Sequence, residues 1–329
     1  MSKIDLKEIF NRTFDRIKLP SKGEFYIDKV GSFKIRYLSG LEEKVLSSEF
    51  LNETGEALEL VLNNLIIDDF EVKDLIVSDL QGIMVFLYAT AYGDSIPITS
   101  KCPKCGYEDD IKVRLSELDF KKSNAKPIDG SWRYYAPYRK NYVQKGFRPN
   151  YLELESGKKA VEIVLKPITF GRELEIRKKG KTLTGIDRVI NAIHSIGGVE
   201  DRVYIEHVVK TMNMSDFKSF RVFSEENEQS IEDKVPITCI ACGNKHEVRL
   251  NLGHDFLRLP ENHRETVMEE CFLISHYSES GMNFDQAMNL PVTERRWYLR
   301  RVSEELEKKR EAEKKAADAA KSKSRSNRA

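Results

Sequence analysis

The sequence predicts an α+β fold built from two related strand–helix–hairpin halves, followed by a C-terminal helical arm. Three observations carry that prediction. Two Cys-x-x-Cys-Gly turns stand at Cys102–Gly106 and Cys239–Gly243. Matching segments flank both turns in the same order, and an internal repeat of this kind changes the whole reading of a fold. A charge-rich helical run follows Pro291.

The elements follow in chain order. Leu6, Ile9, Phe10, Phe14 and Ile17 fall at helical spacing and predict a short amphipathic helix over 4–17. Leu19-Pro20-Ser21-Lys22-Gly23 ends it, and Tyr26–Tyr37 reads as extended, with Phe33, Ile35 and Tyr37 alternating. Helices are expected from about Leu41, over Glu56–Ile66, and from Ser78 or Asp79, whose oxygens suit a helix start. The last of these ends near Gly93. Ile96–Lys101 and Asp110–Leu115 form hairpin arms around Cys102–Cys105. Residues 121–160 mix Trp132, Tyr134, Tyr135, Tyr138, Tyr142, Phe147 and Tyr151 with basic residues and three prolines, which predicts a connector of loops and short strands. Val161–Lys166 alternates as a strand. Helices are then expected near Thr169, through Val189, Ile190, Ile193 and Ile196, through Val203, Val208, Val209 and Met212, and from Ser215-Asp216. Pro236-Ile237-Thr238 enters the second cysteine hairpin, which leaves through Val248–Leu252.

The repeat is visible residue by residue. Ser78-Asp79-Leu80 matches Ser215-Asp216-Phe217, and each aspartate precedes its cysteine, Cys102 or Cys239, by 23 positions. Both hairpins are entered through Pro-Ile-Thr, left through Val-Arg-Leu, and followed by Asp-Phe. Leu38-Ser39 before Glu43 resembles Ile168-Thr169 before Glu173. The boundaries implied are 1–120 for the first half, 121–160 for the aromatic and basic connector, 161–257 for the second half, 258–320 for the helical arm and 321–329 for a basic tail.

Cysteines three apart on a tight turn can aim both sulfurs at one ion, and a structural zinc closes all four tetrahedral positions with protein ligands. Cys102, Cys105, Cys239 and Cys242 therefore predict one structural Zn2+ shared between the halves. Between the pairs lie 133 residues. Closing such a loop costs about 4 kcal/mol beyond a constant, against roughly 10–16 kcal/mol apparent for structural zinc in finger peptides. Ordinary thiols and redox pairs are the alternatives; a redox pair usually opens a helix after a strand, whereas these pairs lie between strand-like arms. Cys271, beside Met268 and Phe272, reads as core, and His246 and His254 as neighbours of a ligand set already complete.

Composition excludes other classes. The 329 residues are 40% hydrophobic and 33% charged, with a formal net charge of +1, so no strongly basic nucleic-acid footprint spans the chain. The longest apolar stretch, Ile83–Tyr92, is about half a membrane span. Acidic Asp5 interrupts the opening residues, unlike a signal peptide, so a cytoplasmic location is expected. No phosphate loop, dinucleotide fingerprint, His-Glu-x-x-His or Gly-x-Ser-x-Gly motif is found. The acidic neighbours Glu42-Glu43 and Asp68-Asp69 diverge on a regular element, so no enzyme is expected.

Arg264–Tyr277 and Phe284–Asn289 predict two helices before the arm, which starts at Pro291-Val292-Thr293 and runs to about Ala320. Glu304 with Lys308, Glu305 with Lys309 and Glu311 with Lys315 stand four apart in the favourable order. Trp297, Tyr298, Leu299, Val302 and Leu306 anchor its first half and are the candidate partner-binding residues.

The chain resembles the baseplate hub assembly chaperones of T4-type tailed bacteriophages. The resemblance rests on Leu19–Gly23 with Tyr26, the two Cys-x-x-Cys-Gly turns, and Asp255-Phe256 running towards Pro260. It extends to Gly281–Pro291 followed by Glu294-Arg295-Arg296-Trp297-Tyr298. It implies a late morphogenesis factor that binds hub and other tail-assembly proteins in the host cytoplasm. The alternative is a nucleic-acid-binding zinc-ribbon regulator using Lys101, Lys104 and the rings of 132–151, since aromatics among cations stack bases and track phosphates.

Overall fold

The structure, a computed structural model, describes residues 14–121, 123–144, 146–178, 185–277 and 281–326. It is α+β. Strand β1 (Phe14–Lys18) pairs antiparallel with β2 (Ser32–Arg36) around the Leu19–Lys29 turns, with Phe14 opposite Arg36 and Lys18 opposite Ser32. Residues 4–13 of the expected first helix lie outside the described residues. Phe14 and Ile17 stand on the strand instead, because pairing with β2 satisfies their backbone.

Alternation puts Phe33 and Ile35 of β2 inward, into a core shared with helices α1 (Gly40–Leu46) and, beyond the short α2 (Glu49–Thr54), α3 (Glu56–Leu65) and α4 (Val77–Tyr92). Ser39 caps α1 in a reciprocal capping box with Glu42, satisfying amides that the first turn leaves open. Gly55, at φ 79°, lets α2 turn into α3 in a left-handed conformation that disfavours other residues. Leu58, Val61, Leu62 and Leu65 of α3 meet Leu80, Ile83, Met84 and Leu87 of α4 in the first core.

Helix α4 does not begin at Ser78 or Asp79. It begins at Val77 behind an extended Ile76 with no side-chain cap, which leaves both residues inside the first turn. The Asp79 carboxylate is buried and turned to the N-terminal loop. It accepts from the Ser21 amide at 2.8 Å, the Ser21 hydroxyl at 2.6 Å and the Tyr26 hydroxyl at 2.7 Å. Burial raises the Asp79 pKa in spite of these bonds.

The first hairpin joins β3 (Ser95–Lys101) to β4 (Glu108–Arg114); β5 (Phe120–Lys121) follows. Residues 121–160 carry β6 (Trp132–Pro137) and β7 (Leu152–Glu153). Both strands pair antiparallel with β8 (Lys159–Leu165). This segment builds the second core, with Trp132 and Tyr142 buried against Val161 and Ile163. Helices α5 (Phe170–Lys178) and α6 (Gly185–Ala192) come next. The helix expected through Ile196 stops at Ala192, and Ile193–Ile196 forms β9 on the edge of β8, where an antiparallel ladder buries its isoleucines. Helices α7 (Arg202–Thr211) and α8 (Met214–Asn227) complete this core. Val203, expected on the apolar face of α7, is instead exposed, because Tyr204, Ile205, Val208 and Val209 fill the inner face.

After β10 (Ser230–Ile231), which pairs with β5, the second hairpin joins β11 (Lys234–Thr238) to β12 (Lys245–Arg249). The chain ends in α9 (His263–Tyr277), α10 (Phe284–Asn289) and α11 (Val292–Ser326). Cys271 is buried as expected, with Val267, Ile274 and Met288. Its presumed companions Met268 and Phe272 face outward, since they lie on the turns flanking the inner face of α9. At 35 residues α11 is about 52 Å long. No described helix is long and apolar enough to cross a membrane.

Candidate metal centre

Each hairpin tip is built the same way. The Cys102 amide donates to the Tyr107 carbonyl at 2.9 Å and the Gly106 amide to the Cys102 carbonyl at 2.9 Å. In the second hairpin Cys239 donates to Asn244, and Gly243 to Cys239, each at 2.9 Å. Gly106 and Gly243 adopt φ of 73° and 68°, a left-handed turn that folds each second cysteine back beside its first.

The hairpins match from the base upward. Leu115 donates to the Asp94 carbonyl and Leu250 to the Asp233 carbonyl; Ile96 then opposes Val113 as Val235 opposes Val248. Pro97-Ile98-Thr99 and Pro236-Ile237-Thr238 thus occupy equivalent rungs, and β3 and β4 each carry two further residues before the tip. The bases meet in an apolar cluster of Val113, Leu250, Leu252 and Ile231.

This packing brings four sulfurs from the two distant turns together. Cys102 and Cys242 lie 3.7 Å apart, Cys105 and Cys239 lie 3.7 Å apart, and all four sulfurs fall within 4.8 Å of one another. No disulfide joins them; such a bond needs about 2.0 Å. Cys102 and Cys239 are buried, whereas Cys105 and Cys242 are exposed. Amides of Cys105 and Lys104 directed at the Cys102 sulfur pull its pKa down to about 6. Cys105 goes the other way, to about 12: the Tyr107 amide lowers it, but the sulfurs of Cys242, Cys102 and Cys239 hold its proton more strongly. Four crowded thiols cannot all ionise alone, and a cation among them supplies the missing charge. The donor set therefore fits a metal ion.

Sequence reading set His246 beside the sulfurs but missed Ser100 and Asn244. Ser100 Oγ lies 3.2 Å from His246 Nε2, bridging the hairpins, and Asn244 Nδ2 points at the Cys102 sulfur from 3.9 Å. The clue was the turn position of Asn244, directly after Gly243. His254 does not join the sulfurs. Its Nε2 lies 3.2 Å from the Gly55 carbonyl in the first core, and burial lowers its pKa.

The candidate partner-binding residues are not brought into one open surface. Tyr298 and Leu299 pack on the α9–α10 cluster, Val302 and Leu306 are half-buried, and Trp297 is 49% exposed. The aromatic segment is also engaged internally. Tyr134 packs on Phe220 and Phe223, Tyr138 on Tyr142 and Tyr151, and Arg139 pairs with Asp216 at 3.0 Å.

Fold and site together define an α+β protein in which two hairpins form a four-cysteine cluster able to bind a metal ion. The chain belongs to the family described as T4 bacteriophage base plate protein, whose profile matches residues 11–258. The match spans both hairpins and stops before α9. No curated protein and no solved structure matches the chain.

Proposed function

We propose that the chain is a non-enzymatic assembly factor of the phage baseplate hub, stabilised by one structural zinc ion. The observation that carries the metal reading is the spacing of the sulfurs. A tetrahedron with zinc–sulfur bonds of about 2.3 Å has edges of about 3.8 Å. Two of the sulfur pairs stand at 3.7 Å, and the four sulfurs lie within 4.8 Å of one another. Four thiolates leave no position for water or substrate, which makes the ion a clasp. The equivalent rungs and identical tips of the hairpins support two halves related by duplication and sharing that ion.

Membership of the base plate family supports work among tail proteins, and assembly in the host cytoplasm is part of the proposal. Binding of hub proteins through Trp297 and the adjoining face of α11 is part of the same proposal, because Trp297 is a large apolar side chain left half exposed. The test is co-expression with individual hub proteins, followed by purification and metal analysis. One zinc per chain and recovery of a stable hub complex support the reading. Cleanly folded chain without zinc removes the metal claim, and recovery of nucleic acid in place of tail proteins removes the assembly claim.

A further inference from the structure

The beginnings of α4 and α11 are docked in the same way on two parts of the same chain. Ile76, just before α4, forms an antiparallel bridge with Thr169, and Pro291, just before α11, forms one with Ser39. The Val77 amide donates to the Ile168 carbonyl at 3.0 Å, and the Val292 amide to the Leu38 carbonyl at 2.9 Å. Three residues before each bridge, Lys73 packs over Gly171 and Met288 over Gly40, where an added Cβ would come within 2.9 and 2.6 Å of those side chains. Each docked segment is thus an aliphatic residue, then Ser or Thr, then a glycine in the first turn of a helix.

Helix α8 opens with the same backbone, with the one difference that the Asn213 side chain caps it by accepting from the Ser215 amide, where Ile76 makes no cap. Asn213-Met214-Ser215-Asp216 stands where Ile76-Val77-Ser78-Asp79 does, and Asn213 at φ −65°, ψ 144° matches Ile76 at φ −72°, ψ 148°. Lys210 holds the place of Lys73 and Met288. Among the described residues no segment bridges Asn213, and Met214 is 82% exposed, whereas Val292 is buried. The chain's own two junctions cannot serve, since Leu38-Ser39 and Ile168-Thr169 are already docked.

We propose that the start of α8 is a docking site for another protein. Its occupant is an extended strand-to-helix junction bearing an aliphatic residue, Ser or Thr, and a glycine in the first helical turn. The two internal junctions show its form: the partner's carbonyl accepts from the Met214 amide, and its glycine passes over Lys210. This rests on the two-half reading above but on neither the metal nor the face of α11.

The test uses full-length chain in phage-infected cells with a photo-crosslinking residue, Met214→p-benzoylphenylalanine, and the same probe at exposed Val203 as control. The expected result is a crosslink from position 214, absent from 203, to such a junction in a different protein. Met214→Pro then tests the hydrogen bond. Proline is tolerated at the first helical position but lacks the amide proton, so melting and metal content hold while recovery of the crosslinked partner falls at least about tenfold. No crosslink above the Val203 control, a crosslink to a second copy or to a different kind of segment, or undiminished recovery with Met214→Pro overturns the proposal. Hub binding that persists through Trp297 in those cases leaves the assembly reading intact.

Discussion

Arg295, in the first turn of α11, donates to the carboxylate of Glu43 in α1, and both side chains are shut off from solvent. Glu43 also lies 3.0 Å from His263 Nε2 and accepts from the Tyr92 hydroxyl at 2.9 Å, while Arg295 Nε reaches Glu270 at 2.8 Å. The pair ties the C-terminal helices to the first core. Arg295→Met leaves Glu43 buried with its main charge partner removed. We expect a loss of about 3–5 kcal/mol, read by urea denaturation. A loss below about 1 kcal/mol would show that water reaches the carboxylate.

The same pair sets a pH dependence. Burial alone would raise the Glu43 pKa, but the His263 hydrogen bond and the Arg295 charge outweigh it and hold the group below its ordinary value of 4.5. A carboxylate lowered on folding stabilises fully above its unfolded pKa, and the contribution is lost as pH falls through the folded value. The stability deficit of Glu43→Gln is therefore expected to be largest near neutrality and to shrink below about pH 4.5. A deficit constant between pH 7 and pH 3 contradicts this.

At the sulfur cluster, Cys239→Ser removes one buried ligand. Metal content should fall from about one equivalent towards zero, by elemental analysis of purified protein. A loss of about 3 kcal/mol would appear as a melting shift of roughly 4–6 °C. Chelation of the unmodified chain should produce a shift in the same direction, whereas equal melting with and without chelator would deny the cluster a structural ion.

Gly40 sits where α1 crosses α9 and α10. A Cβ there would stand 2.6 Å from Met288 Sδ, 3.0 Å from the Met288 carbonyl and 3.0 Å from Val267. The sulfur can swing away, but the carbonyl cannot. Gly40→Ala should cost about 1–3 kcal/mol, despite alanine's better helix propensity, and should speed proteolysis between α9 and α11. A stabilised Gly40→Ala would mean the helices separate at no cost.

Along α11, Glu307 to Ala317 are exposed. Deleting residues 308–329 is expected to leave melting within about 2 °C, because exposed side chains away from special features contribute within about 0.5 kcal/mol. Trp297→Ala should be similarly mild in stability, yet should reduce recovery of hub proteins in the co-expression assay. A large loss of stability in either variant would assign these residues to packing within the chain.

Local chemistry made much of this legible. The Cys-x-x-Cys-Gly turns, the Pro-Ile-Thr entries and Val-Arg-Leu exits marked the first hairpin to within two residues and the exit of the second to within three, because turn glycines and strand alternation are short-range signals. The helix ending at Gly93 and the helix over Phe284–Asn289 were readable for the same reason. The Ile193–Ile196 stretch was not, since isoleucines at 189–196 satisfy helix and strand patterns alike and only the free edge of β8 selects the strand. Glu43 looked like half of a divergent acidic pair, because its partner lies 252 positions away.

The sequence by itself determined which residues turn, which alternate and which carry sulfur, since these depend on a residue and its near neighbours. The four converging sulfurs are predicted by their turns, but only the tertiary structure decided that hairpins of unequal length reach one cluster by packing their bases together. It alone decided that residues 121–160 supply strands to a core, and that α11 is pinned to α1. Those outcomes depend on apolar faces from distant parts of the chain burying one another, and no local pattern encodes which distant face will be met.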